Sequence, residues 1–225
     1  GAKTIEQAYP GFSSSIIRAA RLHKMSKDVI FEAPDIKITE ADIKEALEQS
    51  DESIREELSK NLFLILEQDA STAIIAREAR LSGMVSKDLS DTMAIQEFFT
   101  QRFKDIKVSD EEAKTFYNNN RTMIGDASFE DIREAVKEVL IQQKQESAFY
   151  AYLEELEKKI EIRVNEDWIK AQYALAMDNP VDKARMSGKP SMIEFGATGC
   201  IPCDMMQPIL ESLRKKFPNM LNVVF

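Results

Sequence analysis

Apolar residues at helical spacing run through most of this chain, and they limit its possible folds more tightly than any other feature. Ile54, Leu58, Leu62, Ile65 and Leu66 form one stripe that continues to Ala73 and Ile74. Met93, Phe98, Phe99 and Phe103 form a shorter one. The longest starts after Ser128 and takes in Ile132, Val136, Val139, Leu140, Phe149, Leu153, Leu156 and Ile160. Recurrence every three or four residues puts these side chains on one helix face, which has to be buried against a neighbour. The last stripe predicts a helix of about 30 residues, long enough to carry neighbours on more than one side.

Helix starts are written locally as well. Thr39 with Asp42, Ser109 with Glu112, and Ser128 with Asp131 read as N-caps, and only the Ser109 pair has the Glu of the usual capping box. Asn165 opens a helix through Trp168, Ile169, Tyr173 and Leu175, with Trp168 expected to anchor it against the helical body. Asn179-Pro180 begins a further helical turn, which Gly188-Lys189-Pro190 breaks. Before Ile38 the signals are mixed. Tyr9-Pro10-Gly11 reads as a turn, and a short helix is expected through Ile16, Ile17, Ala20 and Leu22.

Lys159 to Val164 alternates polar and apolar residues, which predicts a short extended segment. From Ser191 the pattern changes. Ser191 to Phe195 reads as a strand, Cys203 to Phe217 as a helix, and Leu221 to Phe225 as a second strand. The expected fold class is mainly α: an all-helical body over residues 1–164, a linker helix over 165–178, and a β-α-β unit over 179–225.

Charge and composition remove several function classes. The net charge is -9, and basic residues are interspersed with acidic ones along the helices. Nucleic-acid binding needs a clustered basic surface that releases counterions from phosphates, so no nucleic-acid partner is expected. The only long apolar run, Leu62 to Leu66, is far shorter than the roughly 20 residues of a membrane span, so none is expected. No charged-then-apolar signal segment follows Gly1.

Both cysteines of the chain sit in one Cys-x-x-Cys, Cys200-Ile201-Pro202-Cys203, between a predicted strand and a predicted helix. At a helix N-terminus the unpaired N–H groups and the helix dipole favour a thiolate, which makes a cysteine nucleophilic. Cys200 is then the exposed attacking thiol, and Cys203, one turn in, resolves the mixed disulfide. Pro202 lacks an N–H but suits the first helical turn. A structural disulfide is the alternative, although so small a loop stabilises little. A structural zinc needs two more ligands, and the chain has one histidine, His23, and no third cysteine. No metal and no cofactor is expected, and His23 is expected at the surface.

The segment Met192-Ile193-Glu194-Phe195-Gly196-Ala197-Thr198-Gly199-Cys200-Ile201-Pro202-Cys203, continuing to Pro208, resembles the active-site region of the thioredoxin family. The resemblance implies that Glu194 is a buried acid that accepts the resolving thiol's proton. It also implies that Phe195 is a core aromatic and that Pro208 kinks the active-site helix. Gly199 stands where the family usually has Trp, and Asp204 where it has Lys or Arg. A carboxylate there is expected to raise the Cys200 pKa. The family's fold continues through further strands, a substrate-facing cis-proline loop and a last helix. The chain is therefore expected to be a fragment, or else to pair with a second copy.

Residues 38–164 resemble the helical N-terminal chaperone domain of SurA-type proteins. The resemblance rests on Ile38-Thr39-Glu40-Ala41-Asp42-Ile43, on Val108-Ser109-Asp110-Glu111-Glu112 running to Tyr117, and on Ser128-Phe129-Glu130-Asp131-Ile132. It implies binding of extended or unfolded polypeptide, and location in the bacterial periplasm or cell envelope. Together the two resemblances imply a thiol-disulfide oxidoreductase acting on protein thiols or disulfides, with a helical peptide-binding or dimerisation module. The alternative is a chaperone-like or homodimerising module whose redox end is inert.

Overall fold

The computed structural model describes residues 1–197 and 199–224; Thr198, before the dithiol, and Phe225, the end of the predicted second strand, lie outside them. The chain is mainly helical with a small mixed sheet. It begins with α1 (Ile5–Ala8), a 3-10 turn (Ile16–Ala19) and three strands, β1 (Arg21–His23), β2 (Val29–Ala33) and β3 (Ile36–Thr39). Helices α2 (Glu40–Gln49), α3 (Glu52–Lys60), α4 (Phe63–Leu81), α5 (Asp91–Phe103), α6 (Asp110–Asn119), α7 (Arg121–Ile124) and α8 (Phe129–Lys159) follow. Then come β4 (Arg163–Asn165), α9 (Glu166–Ala176), α10 (Pro180–Met186), β5 (Ser191–Ile193), α11 (Ile201–Lys216) and β6 (Asn222–Val224).

The body is therefore not all-helical. It holds a four-stranded sheet of order β1-β4-β2-β3, in which β4 lies parallel to β1 and antiparallel to β2. The predicted helix through Leu22 is a 3-10 turn that ends at Ala19, and Leu22 sits in β1 opposite Val164. His23 lies in β1 as well, half-buried rather than at the surface, with its Nε2 enclosed and without a partner among the described residues. The hairpin β2–β3 turns at Pro34-Asp35, where Asp35 takes φ 61°, a conformation Asp tolerates better than most residues. Arg77 of α4 holds that turn, with Nη2 2.8 Å from the Asp35 carboxylate.

The predicted stripe from Ile54 to Ile74 is split. Helix α3 ends at Lys60 and α4 starts at Phe63, which leaves Ile54 half exposed while Leu66, Ala70 and Ile74 are fully buried. Helix α8 spans 31 residues and has the expected neighbours on more than one side. Its first half packs on α6 through Val136, Ala113 and Tyr117, braced by Lys144 on Glu112. Its second half brings Tyr152 and Leu156 into the main core, beside Phe98 of α5. Glu78 of α4 is buried and accepts from Arg77 Nη1 at 2.7 Å and from Lys159 Nζ at 3.0 Å, so two cations neutralise it as α4 meets α8.

All three predicted caps form. Thr39 and Asp42 make a reciprocal capping box despite the shorter acid, as do Ser109 and Glu112. Ser128 accepts from the Asp131 N–H. Asn165 caps α9 by accepting from the N–H groups of Asp167 and Trp168, and Trp168 packs partly buried on the body core beside fully buried Ile169.

Candidate functional site

Residues after Asn179 build a β-α-β unit. Asn179 accepts from the Asp182 N–H and caps α10, with Pro180 in the first turn where no N–H is needed. Strands β5 and β6 pair in parallel, Met192 opposite Val223, and α11 is the crossover between them. Asn222 ties the pieces together. Its Nδ2 donates to Ser187 Oγ at 2.6 Å, Ser191 Oγ at 3.1 Å and the Ala184 carbonyl at 3.3 Å. The sequence reading missed this hub, because an Asn beside Val223 and Val224 carries no motif; its role appears only once α10 and β5 are placed.

The dithiol sits at the start of α11. Cys200 and Cys203 are joined as a disulfide with Cα atoms 5.3 Å apart. Cys200 is the N-cap residue of α11, and its Sγ accepts from the Cys203 N–H at 3.3 Å. Its carbonyl accepts from the Asp204 N–H at 3.0 Å, and its own N–H donates to the Ala197 carbonyl at 3.1 Å. One sulfur of the pair therefore faces the free N–H groups of a 16-residue helix, the environment that stabilises a thiolate after reduction. Both cysteines are half-buried, so exposure does not distinguish attacking from resolving sulfur in the oxidised state.

The flanking positions are equally specific. Gly199 has φ 79°, a left-handed conformation that a side chain strains, which gives a backbone reason for glycine directly before the dithiol. Ile201 and Pro202 occupy the first turn of α11 and are exposed. Pro208 lies inside the helix, as expected, and Asp204 is exposed in its first turn.

Glu194 follows β5, and its N–H donates to the Val224 carbonyl at 2.9 Å. Its side chain is half-buried, and its Oε2 is fully enclosed without a hydrogen-bond partner among the described residues. A buried oxygen left unpaired is costly and rare. Phe195 is a correction. The strand ends at Ile193, and Phe195 is 83% exposed rather than part of a core. β5 pairs only with β6 among the described strands, so nothing in that two-stranded sheet extends the ladder to Phe195.

Among the described residues, no helix is long and apolar enough to cross a membrane. Comparison of the chain with protein-family models, curated proteins and solved structures finds no match in any of the three.

Proposed function

We propose that residues 179–224 carry the dithiol end of a thioredoxin-type thiol-disulfide oxidoreductase, with Cys200 as nucleophile, Cys203 as resolving thiol and Glu194 as proton acceptor. One observation carries this reading: Cys200 caps α11 between two parallel strands, and its sulfur accepts from the Cys203 N–H. A cysteine pair closed only for structure gains nothing from that position, whereas a nucleophile gains thiolate character.

In the reductive direction the Cys200 thiolate attacks one sulfur of a protein disulfide. A mixed disulfide forms and one substrate thiolate leaves. Cys203 passes its proton to Glu194 and attacks the Cys200 sulfur, which releases the second substrate thiolate and leaves the Cys200–Cys203 disulfide. In the oxidative direction the same steps run backwards and the substrate gains the disulfide. The unpaired Glu194 oxygen fits a group that takes up a proton during the cycle. Residues 1–164 act, in this proposal, as a SurA-like helical module that binds extended polypeptide or a second copy, in the periplasm or envelope of a bacterium.

A second reading, an inert redox end on a chaperone-like or dimerising module, draws on the thin core of the C-terminal unit, where Ala184 and Leu210 are the buried apolar side chains among the described residues. A redox titration against glutathione, followed by differential alkylation, separates the two. The oxidoreductase reading requires a reversible two-electron couple and faster alkylation of Cys200 than of Cys203 near neutral pH. Equal and slow reaction of both thiols overturns it and leaves the second reading.

A further inference from the structure

A reduced dithiol attacks through a thiolate, and how firmly its surroundings hold that thiolate sets which way electrons flow. A pair whose reduced form is strongly stabilised takes electrons readily, and one whose thiolate is weakly held gives them up. Backbone N–H donors, nearby cations and the side chains between the two cysteines are the groups that can hold it.

At Cys200 that support is thin. Its sulfur accepts from one N–H, that of Cys203, at 3.3 Å. Pro202 has no N–H to add, and the Asp204 N–H is engaged by the Cys200 carbonyl at 3.0 Å. Ile201 and Pro202, between the cysteines, bring neither charge nor a side-chain donor. No Lys, Arg or His occurs between Lys189 and Arg214. Lys189 lies before β5, whose other end leads to the dithiol. Arg214 lies about 20 Å along α11 at helical rise, with its Nε donating to the Val223 carbonyl at 3.0 Å. On α10, Lys183 and Arg185 are paired with Asp178 and Asp182.

The charge that does stand beside the dithiol is negative. Asp204 comes four residues after Cys200 in the first turn of α11, so the two share a helix face. Helical side chains lean toward the N-terminus, which carries the Asp204 carboxylate toward the sulfur. Among the described residues after Asn179, Glu194 is the other titratable group at this end, and β6, which packs on α11, has none over Asn222–Val224.

We propose that Asp204 tunes this dithiol and makes it an electron donor, a reductant of protein disulfides rather than an oxidant of protein thiols. The inference rests on the oxidoreductase reading and selects one of its two directions. Cys200 and Cys203 give up two electrons and two protons, the substrate disulfide leaves as two thiols, and the pair closes as its own disulfide. A thiol or dithiol donor reopens the pair and is oxidised to a disulfide in turn. The helix start favours the thiolate enough for attack. Asp204 acts through the Cys200 sulfur, as a positioning residue whose charge opposes any stronger hold on the thiolate.

Equilibration of the intact chain with glutathione buffers, read by alkylation and mass, gives the redox equilibrium constant. Ultraviolet thiolate absorbance against pH reports Cys200. Wild type is expected to be the reducing partner, with oxidised protein and reduced glutathione favoured. Asp204→Lys is expected to shift the constant toward reduced protein by about tenfold, which is about 30 mV, and to move the thiolate titration to lower pH. Asp204→Asn is expected to move both the same way by about threefold, and Asp204→Glu to keep the wild-type values. Glu211→Lys makes the same charge change about 16 Å from Cys200, beyond the screening length, and is expected to move neither. A reversible couple more oxidising than glutathione overturns the direction. An Asp204→Lys shift no larger than that of Glu211→Lys overturns the role of Asp204. Both results leave the oxidoreductase reading standing, whereas a wild-type chain with no reversible couple removes that reading and this inference with it.

Discussion

The body and the C-terminal unit of this chain are built from the same local signals but hold themselves together very differently. In the body, capped helices and a four-stranded sheet converge on fully buried Phe31, Phe63, Phe98, Leu66 and Ile169. The unit after Asn179 has equally regular elements, yet its buried apolar side chains among the described residues are Ala184 and Leu210. Ile201, Met205 and Ile209 follow one another at four-residue spacing on α11 and are exposed, as are Phe195 and Met220. A two-stranded sheet with so little buried area is marginal on its own. Regular secondary structure is thus a poor guide to where stability resides, and here the proposed chemistry sits in the region with the smaller core.

The sharpest way to break this comparison is to hollow both cores. Phe31→Ala is expected to destabilise the body by about 3–5 kcal/mol. The sole tryptophan, Trp168, packs on the body core, so denaturant unfolding followed by its fluorescence reads that loss directly. Leu210→Ala is expected to leave the Trp168 midpoint in place while amide exchange protection disappears from α11 and β6. If Leu210→Ala shifts the Trp168 transition as far as Phe31→Ala does, the two regions unfold as one and the contrast fails.

A smaller effect sharpens what the C-terminal unit relies on. Asn222→Ala removes the donor shared by Ser187, Ser191 and Ala184, and is expected to cost about 1–2 kcal/mol, read as faster exchange across β5 and β6 with the body unchanged. Such a loss is large for a unit with two buried apolar side chains and would be minor in the body.

The smallest effect belongs to the body's surface. Ser109→Ala removes the cap of α6 and is expected to cost about 1 kcal/mol in the same fluorescence assay. The Lys144 ammonium first, and then the Ser109 N–H, hold the Glu112 carboxyl at about 2, below the ordinary carboxylate range. Because that value is depressed in the folded state, the stabilisation is fully present above the usual carboxylate range and fades as pH falls toward about 2. An NMR titration of Glu112 checks the value, and Lys144→Met is expected to move it up.

Much of the site could be read without a structure. The dithiol at a helix start, the early Pro202 and the strand–helix–strand order follow from residues adjacent in sequence, although the helix begins at Ile201 rather than at the expected Cys203, and Pro208 inside it was implied by the family resemblance. The Asn222 hub was not legible, since its acceptors lie on α10 with its C-cap and on β5, more than 30 residues earlier in the chain. Phe195 was misplaced for the same reason: apolar character says that a side chain would prefer burial, not whether another element covers it. Arg102 and Tyr152 belong to no stripe or motif in the sequence, and the placing of the guanidinium over that ring depends on how α5 packs against α8.

Capping and periodicity act within about four residues, so the amino-acid sequence by itself determined the long helix from Ser128, the N-caps at Thr39, Ser109, Asn165 and Asn179, and the mainly helical class. Only the tertiary structure decided that β4 slots between β1 and β2, turning an expected all-helical body into one built around a sheet. Strand pairing joins residues remote in the chain, and no local signal in Arg21–His23 names Arg163–Asn165 as its partner. The same physics placed the enclosed Glu194 oxygen, the exposed Phe195 and the Arg102 guanidinium over the Tyr152 ring. Burial and charge pairing belong to surfaces that meet in space, and the sequence specifies those surfaces only through the fold.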